Sequence, residues 1–79
     1  MLTLENIKRK GDIISATYYP EDAEGRGIIS VDTVTGEVID FTLVEGYGTC
    51  SAAKHYGRKK LLEIADLKPL PEMRRVLWY

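Results

Sequence analysis

The sequence predicts an α+β domain: a four-stranded antiparallel β-meander with one α-helix packed on one face, followed by a short C-terminal strand or arm. Three observations support this fold class. Two β-rich runs flank a Thr-Gly turn between residues 28 and 44, residues 50–67 have the period of an amphipathic helix, and two prolines then precede an apolar segment. At 79 residues we expect one domain, spanning residues 1–79.

The first two strands are predicted as a hairpin. Residues 2–9 and 12–19 are joined through Lys10-Gly11, because glycine readily adopts the positive φ that a tight connection requires. Pro20 is expected to end the second strand, since it has no N–H to donate to a neighbouring strand. The acidic, glycine-containing residues 21–27 predict an exposed loop before a second hairpin, so that residues 1–44 form two hairpins.

The second hairpin is predicted from alternation between apolar and polar residues on both arms. The positions expected to face the core are Ile29, Val31, Ile39, Phe41 and Leu43. The opposite, solvated face then holds Ser30, Asp32, Asp40 and Thr42.

The turn of this hairpin has its own signature. Gly36 supplies a positive φ, and the Asp32 side chain is expected to accept hydrogen bonds from backbone N–H groups of the turn. Residues 31–38 resemble the Asp-x-x-Thr-Gly-Glu turn found in many unrelated β-domains, including secreted PepSY-type modules. The resemblance covers eight residues, so it implies a turn and no family.

A helix is predicted over residues 50–67, with Thr49 or Ser51 as its N-cap. The apolar arc that we expect to pack on the sheet consists of Ala53, Tyr56, Gly57, Leu61, Ile64 and Leu67. The opposite arc is polar and includes His55, Arg58, Lys59 and Asp66. Gly57 costs about 1 kcal/mol relative to alanine in a helix interior, which indicates that the helix backbone approaches a strand closely there.

The C-terminal segment, residues 72–79, is predicted to form a short strand or arm after Pro69 and Pro71 end the helix. Its large aromatics favour docking, either on an edge of the chain's own sheet or across a second copy. Leu62 lies on the polar side of the predicted helix and requires cover. The candidate interface with a homodimer mate or another protein therefore consists of Leu62, Leu77, Trp78 and Tyr79.

Composition argues against several classes of function. Cys50 is the single cysteine and His55 the single histidine, so we expect no intrachain disulfide, thiolate zinc site or other metal site. The two residues would lie about 140° apart on a helix, which disfavours a catalytic pair. No apolar run approaches roughly 20 residues, and the N-terminus lacks a basic start with an apolar stretch. We therefore expect a cytoplasmic protein without a cofactor or a membrane partner.

Charge is divided unevenly along the chain. Residues 1–48 carry four Lys or Arg against nine Asp or Glu, whereas residues 49–79 carry seven against three. In one interpretation a basic helix lies on an acidic sheet, with Lys59 free to pair with Glu63 at i, i+4. In the other, an anionic partner such as nucleic acid binds Lys54, Arg58, Lys59, Arg74 and Arg75. The pI of about 5.8 argues against a dedicated nucleic-acid-binding domain.

Two further patterns were considered for chemistry. The acidic side chains Asp12, Asp32, Glu37 and Asp40 lack the spacing of an EF-hand. The loop over residues 46–51 precedes a helix as anion-binding loops do, but it lacks the Gly-Lys-Ser/Thr ending of a P-loop, and turn and cap chemistry explains it equally. The sequence thus predicts a small non-enzymatic interaction or accessory protein that acts through its C-terminal arm and helix surface. Nucleic-acid binding by the basic helix face is the alternative.

Overall fold

A computed structural model describes residues 2–20, 25–42 and 51–76. For residues 51–53 it describes the backbone only. The predicted fold class is confirmed: an antiparallel sheet carries one helix. The elements are β1 (Leu2–Lys10), β2 (Ile13–Pro20), β3 (Gly27–Asp32), β4 (Val38–Phe41), α1 (Ser51–Ile64) and β5 (Met73–Val76).

The described strands form one five-stranded sheet in the order β4-β3-β2-β1-β5. The first four make the predicted meander, and β5 adds a fifth strand by pairing antiparallel with β1. Val76 lies opposite Leu2, and both are buried. The C-terminal segment therefore pairs with its own sheet as far as Val76, while Leu77, Trp78 and Tyr79 lie outside the described residues.

The first hairpin turns one residue later than predicted. Lys10 pairs with Ile13, so the turn consists of Gly11 and Asp12. Gly11 has a φ of 60°, and a positive φ at the first of two turn residues is the geometry of a type II′ turn. β2 ends at Pro20, as the sequence predicts.

The core lies between the sheet and the helix. We call this side of the sheet the covered face. The buried hydrophobic residues are Leu2, Leu4, Ile7, Ile14, Ala16, Tyr18, Ile29, Val31, Leu61, Ile64, Ala65 and Val76. Fully burying a side chain of the Leu or Ile type stabilises a fold by about 1.5–3 kcal/mol, so this cluster is the main source of stability.

A β-bulge in β1 keeps the covered face apolar. The register with β2 shifts between Glu5 and Lys8, so that Asn6 and Ile7 together oppose a single residue of β2. Asn6 has a φ of 53°, a left-handed conformation that asparagine tolerates better than most residues. The extra residue turns Ile7 toward the core and places Arg9, two residues later, on the same face.

A second bulge, in β4, places one residue outside the core that the sequence predicts to be inside it. The register of β3 with β4 also shifts within the strand, and both Val38 and Phe41 pack against the core. Strict alternation from Phe41 would bury Ile39, but Ile39 is 53% exposed. The prediction for Ile39 is therefore wrong, because one extra residue reverses the alternation. Leu43 lies outside the described residues.

The helix packs closely on β3, as Gly57 predicts. Gly57 is buried, and a Cβ added there would lie only 3.2 Å from Cδ1 of Ile29. Leu61 and Ile64 are buried, and Tyr56 is half-buried against the same core. The predicted apolar arc is thus confirmed over these four helix positions.

The helix ends earlier than predicted. Its last residue is Ile64, the next two residues form a turn, and the N–H of Leu67 donates to the carbonyl of Ile64 at 3.0 Å. Leu67 is 44% exposed, so its predicted place in the core is wrong. Thr49, the start at residue 50 and the side chain of Ala53 lie outside what the structure describes.

The turn between β3 and β4 confirms the roles predicted for Asp32 and Gly36. Oδ1 of Asp32 accepts hydrogen bonds from the N–H groups of Val34 at 2.8 Å and Thr35 at 3.2 Å. Gly36 has a φ of 78° and donates its N–H to the Asp32 carbonyl at 2.8 Å. These bonds fix the turn, and α1 rests against it through Arg58, whose Nε donates to the Gly36 carbonyl.

Candidate interaction surface

The side of the sheet away from α1 is not covered by any described residue, and we call it the open face. Alternation along each strand assigns side chains to it, and cross-strand pairing orders most of them into rows. From one end of the sheet to the other, the rows are Arg75, Thr3 and Tyr19; Met73, Glu5, Thr17 and Ile28; Lys8, Ser15, Ser30 and Asp40; Lys10, Ile13 and Asp32. The solvated face predicted for the second hairpin is part of this surface.

Two large apolar side chains on the open face are strongly exposed. Ile28 is 49% exposed on β3, and Met73 is 57% exposed on β5 at the end of the same row. Ile13 and Tyr19 on β2 are half-buried. Exposed apolar side chains rimmed by polar residues on an uncovered sheet are consistent with a surface that meets a partner.

A shallow groove of about 400 Å³ crosses the open face. It is lined by Asn6, Thr17, Tyr19, Arg26, Ile28 and Thr42. Arg26 lies beside Tyr19, because the next residue, Gly27, pairs with Tyr18. A second depression continues past Ile28 to Lys8 and Ser15. Neither depression is lined by a carboxylate, so both offer hydroxyl, amide and cationic groups around an apolar centre.

Charges of both signs lie around this centre. Glu5 and Lys8 project from β1, and Asp32 and Asp40 from β3 and β4. No ion pair joins any of these four groups to another described residue. Except for the Asp32 oxygen that holds the turn, these charged groups are available to a partner.

The five basic residues predicted to bind nucleic acid do not form one surface. Lys54 and Lys59 are exposed on the helix, but Arg58 is half-buried and bonded to the Gly36 carbonyl. Arg74 and Arg75 are both exposed, yet alternation along β5 directs them to opposite faces of the sheet. Arg58 therefore helps to hold the hairpin, and Arg75 lies on the opposite face of the sheet from Arg74 and the helix lysines.

The predicted apolar interface is only partly described. Leu62 is half-buried and packs against the core, where its Cδ1 would lie 3.8 Å from a Cβ added at Gly36. The turn between β3 and β4 thus supplies, within the chain, the cover that Leu62 requires. Leu77, Trp78 and Tyr79 lie outside the described residues.

Arg9 is a structural residue that the sequence does not predict. Its Nη1 donates to the Ala65 carbonyl at 2.8 Å and to Asp66 Oδ1 at 3.1 Å, and its Nε donates to the Gly11 carbonyl at 3.0 Å. Nη2 also reaches the Thr33 hydroxyl at 3.4 Å. Arg9 therefore joins the first hairpin to the C-terminal end of the helix, where carbonyl groups lack helical partners.

This contact reverses the charge arrangement expected between helix and sheet. A basic helix on an acidic sheet predicts helix cations paired with strand carboxylates, but within the described residues the ion pair between the two layers joins Arg9 of β1 to Asp66 after α1. The second ion pair in this part of the chain lies within the helix, where Lys60 contacts Glu63 at 3.2 Å. Lys59 is thus not the partner of Glu63 that the i, i+4 spacing indicated.

The remaining chemical candidates are not assembled into a site. His55 is exposed and stacks edge-on against Tyr56, with ring centroids 4.9 Å apart, while Cys50 and residues 46–50 lie outside the described residues. The Asp12 carbonyl accepts bonds from the N–H and hydroxyl of Thr33, so this turn residue serves the junction of the two hairpins. Among the described residues, no three His, Cys, Asp or Glu side chains are placed to hold a metal ion.

Comparison with protein-family models, curated proteins and solved structures finds no match for this chain. Within the described part of the chain, α1 is neither long nor apolar enough to span a bilayer.

Proposed function

We propose that this chain is a non-enzymatic cytoplasmic interaction or accessory module, and that the open face of its sheet is the binding surface. The observation that carries the proposal is Ile28, an isoleucine on the second strand from the β4 edge that is 49% exposed while the helix covers the opposite face. Burying the rest of such a side chain against a partner gains on the order of 1 kcal/mol. A partner that also covers the groove would add to this gain.

The surface suits binding better than catalysis. The polar groups that line its two depressions are hydroxyls, an amide and single cations around an apolar centre. A shallow depression with an apolar centre and a polar rim is the usual composition of a protein interface. Tyr19 and Arg26 line the groove, and both residue types are frequent energetic anchors at interfaces.

The test is to follow amide NMR signals of the ¹⁵N-labelled full chain when it is diluted and when it is added to a cell extract. We expect shifts or broadening confined to open-face residues, and loss of these changes in Ile28→Asp. Lys59→Glu, a charge change on the exposed side of the helix, is the matched control. Signals that respond equally in wild type and Ile28→Asp, or not at all, would overturn the proposal.

A truncation after Val76 tests the interface first predicted from sequence. Val76 is buried and paired, so the cut must follow it in order to spare the core. We expect the truncated chain to keep the open-face response. If the response disappears and the domain remains folded, the interface lies in Leu77, Trp78 and Tyr79 instead.

Nucleic-acid binding is the second candidate, supported by the exposed cations Lys54 and Lys59 on the helix. Fluorescence anisotropy with labelled single-stranded DNA and RNA measures it directly. Salt-sensitive binding that is lost in Lys54→Glu/Lys59→Glu would favour this function over the first. We expect no such binding, since the cations of the described chain are dispersed.

A further inference from the structure

Resting on the proposed function, we infer that the partner of the open face is a second copy of this chain. The two sheets pack face to face about a two-fold axis that lies between them and runs perpendicular to the strands. Sheets packed in this way lie about 10 Å apart, with strand directions within roughly 30° of each other. The axis passes between the row of Thr17 and the row of Ser15, near the centre of the open face.

The inference comes from the order of side chains along each strand. Such an axis reverses the strand direction but keeps each strand over its own equivalent, so the two inner rows exchange and the two outer rows exchange. On β1 the inner rows hold Glu5 and Lys8. Glu5 of each copy therefore lies over Lys8 of the other, and the dimer contains this opposite-charge contact twice.

The strands next to β1 are complementary under the same operation. On β2 the outer rows hold Tyr19 and Ile13, which places an aromatic ring over an apolar side chain. Arg26 immediately precedes β3 and lies beside Tyr19, and Asp32 is the last residue of β3, so these outer positions place a guanidinium over a carboxylate. Charge, ring and apolar group each meet a suitable partner, and no two like charges meet on these three strands.

The central residue of the proposed function is also covered. Ile28 of one copy lies over Ser30 of the other, because both are on inner rows of β3. Contact across the axis buries the exposed part of Ile28 against a small side chain, which leaves room for it between the sheets. Asp40 of β4 faces the hydroxyl of Thr42, which follows β4. A hydroxyl can donate a hydrogen bond to a carboxylate.

A second two-fold arrangement is less favourable. If the axis ran parallel to the strands between β2 and β3, Lys8 would face Asp40, but Asp32 would then face Ile13. If it ran along the central strand β2, Lys10 would face Asp32, but Glu5 would then face Ile28. In both cases a carboxylate is removed from water against an isoleucine, which costs free energy. The perpendicular axis avoids this contact.

The size of the surface indicates a weak dimer. Five strands about 4.8 Å apart and four rows about 7 Å apart give a sheet of roughly 500 Å² on each copy, or about 1,000 Å² in total. This is close to the lower limit for a specific protein interface. We therefore expect association that depends on concentration, and weakens with added salt as its charge pairs are screened.

Sedimentation equilibrium of the full chain tests this geometry through charge exchange. Glu5→Lys and Lys8→Glu each bring like charges together at both symmetric contacts, so we expect each variant alone to lower the association constant at least tenfold. Glu5→Lys/Lys8→Glu should restore association, and an equal mixture of the two single variants should form the heterodimer. Both positions are on the open face, and circular dichroism checks that each variant stays folded.

The outcomes separate this inference from the proposed function. If Ile28→Asp abolishes the open-face response in extract but the purified chain is monomeric at every concentration, the surface is correct and a second copy is not the partner. If the chain dimerises and only Lys8→Asp/Asp40→Lys restores association lost in Lys8→Asp, the parallel axis between β2 and β3 is correct. If neither exchange restores association, both geometries are wrong.

Discussion

Ile28 and Ile29 are adjacent and chemically identical, yet Ile28 is 49% exposed on the open face and Ile29 is 1% exposed beneath the helix. The same contrast separates Lys8, whose ammonium has no partner among the described residues, from Arg9, whose guanidinium donates to two groups at the helix end and to two groups in the hairpin turns. The alternation of the strands thus divides the described part of the domain into a face that packs against the helix and a face that is exposed. Substitutions at neighbouring positions test this division directly.

The largest effect is expected from Ile29→Ala. Ile29 contacts the helix at Gly57, where the close approach leaves little room for collapse around a cavity. We expect the free energy of unfolding to fall by about 3 kcal/mol, within the usual range for large-to-small core substitutions. Urea denaturation at low protein concentration measures it.

Ile28→Ala is the matched control for Ile29→Ala. At low concentration it should lower the free energy of unfolding by less than about 1 kcal/mol, because the side chain is already half in water. A loss equal to that of Ile29→Ala in the monomer would contradict the division between the faces.

The next effect concerns a glycine at the edge of the covered face. A Cβ added at Gly27 would lie 2.5 Å from the Thr42 carbonyl oxygen and 2.5 Å from Cε1 of Tyr18. The Tyr18 ring cannot move aside freely, since it stacks on Phe41 at 5.0 Å and its hydroxyl donates to the Thr42 carbonyl. We expect Gly27→Ala to lower the free energy of unfolding by about 2–3 kcal/mol through overpacking.

Gly11→Ala separates steric clash from backbone conformation. No heavy atom lies within 4 Å of a Cβ built at Gly11, but its φ of 60° disfavours alanine by about 1 kcal/mol. In thermal denaturation, the melting temperature of Gly27→Ala should therefore be well below that of Gly11→Ala. The reverse order would mean that the Tyr18 ring and the Thr42 carbonyl can shift to accommodate the added Cβ at little cost in free energy.

The sequence was sufficient for the parts of the fold that depend on local patterns. Each of these parts follows from a residue type at a particular position in a local pattern. They are the two hairpins, the positive φ of Gly36, the turn hydrogen bonds of Asp32 and the close approach at Gly57. The C-terminal strand was expected too, although its choice of β1 as neighbour depends on tertiary packing.

The bulges account for most of what the sequence could not predict. A single extra residue in β1 or β4 reverses the alternation, and nothing in the local pattern marks where it is inserted. For this reason strict alternation predicts the wrong face for Ile39 and does not place Arg9 on the covered face. The local pattern does not predict the rows of the open face either, because they join residues from five strands.

Arg9→Ala should have the third largest effect. It removes the hydrogen bonds to the Ala65 and Gly11 carbonyls and the contact with Asp66, and we expect a loss of about 1–2 kcal/mol. Arg9→Lys keeps the charge but cannot reach all four acceptors, so it should recover only part of this loss. Lys8→Ala should change the free energy of unfolding by less than about 0.5 kcal/mol. Equal losses for Arg9→Ala and Lys8→Ala would show that the contacts of Arg9 with the C-terminal end of the helix do not stabilise the domain.

The smallest effect is expected on the outer side of the helix, where two adjacent lysines differ in their contacts. Lys60 contacts Glu63 at 3.2 Å, whereas Lys59 is exposed and makes no ion pair with any described residue. Because Glu63 is largely exposed, the i, i+3 pair should contribute only about 0.3 kcal/mol at low salt. A double-mutant cycle of Lys60→Ala with Glu63→Ala should give this coupling, and high salt should remove it. The same cycle with Lys59→Ala and Glu63→Ala should give no coupling, because Lys59 makes no ion pair with Glu63. A coupling there would mean that Glu63 pairs with Lys59 at i, i+4 and that Lys60 is the lysine left unpaired.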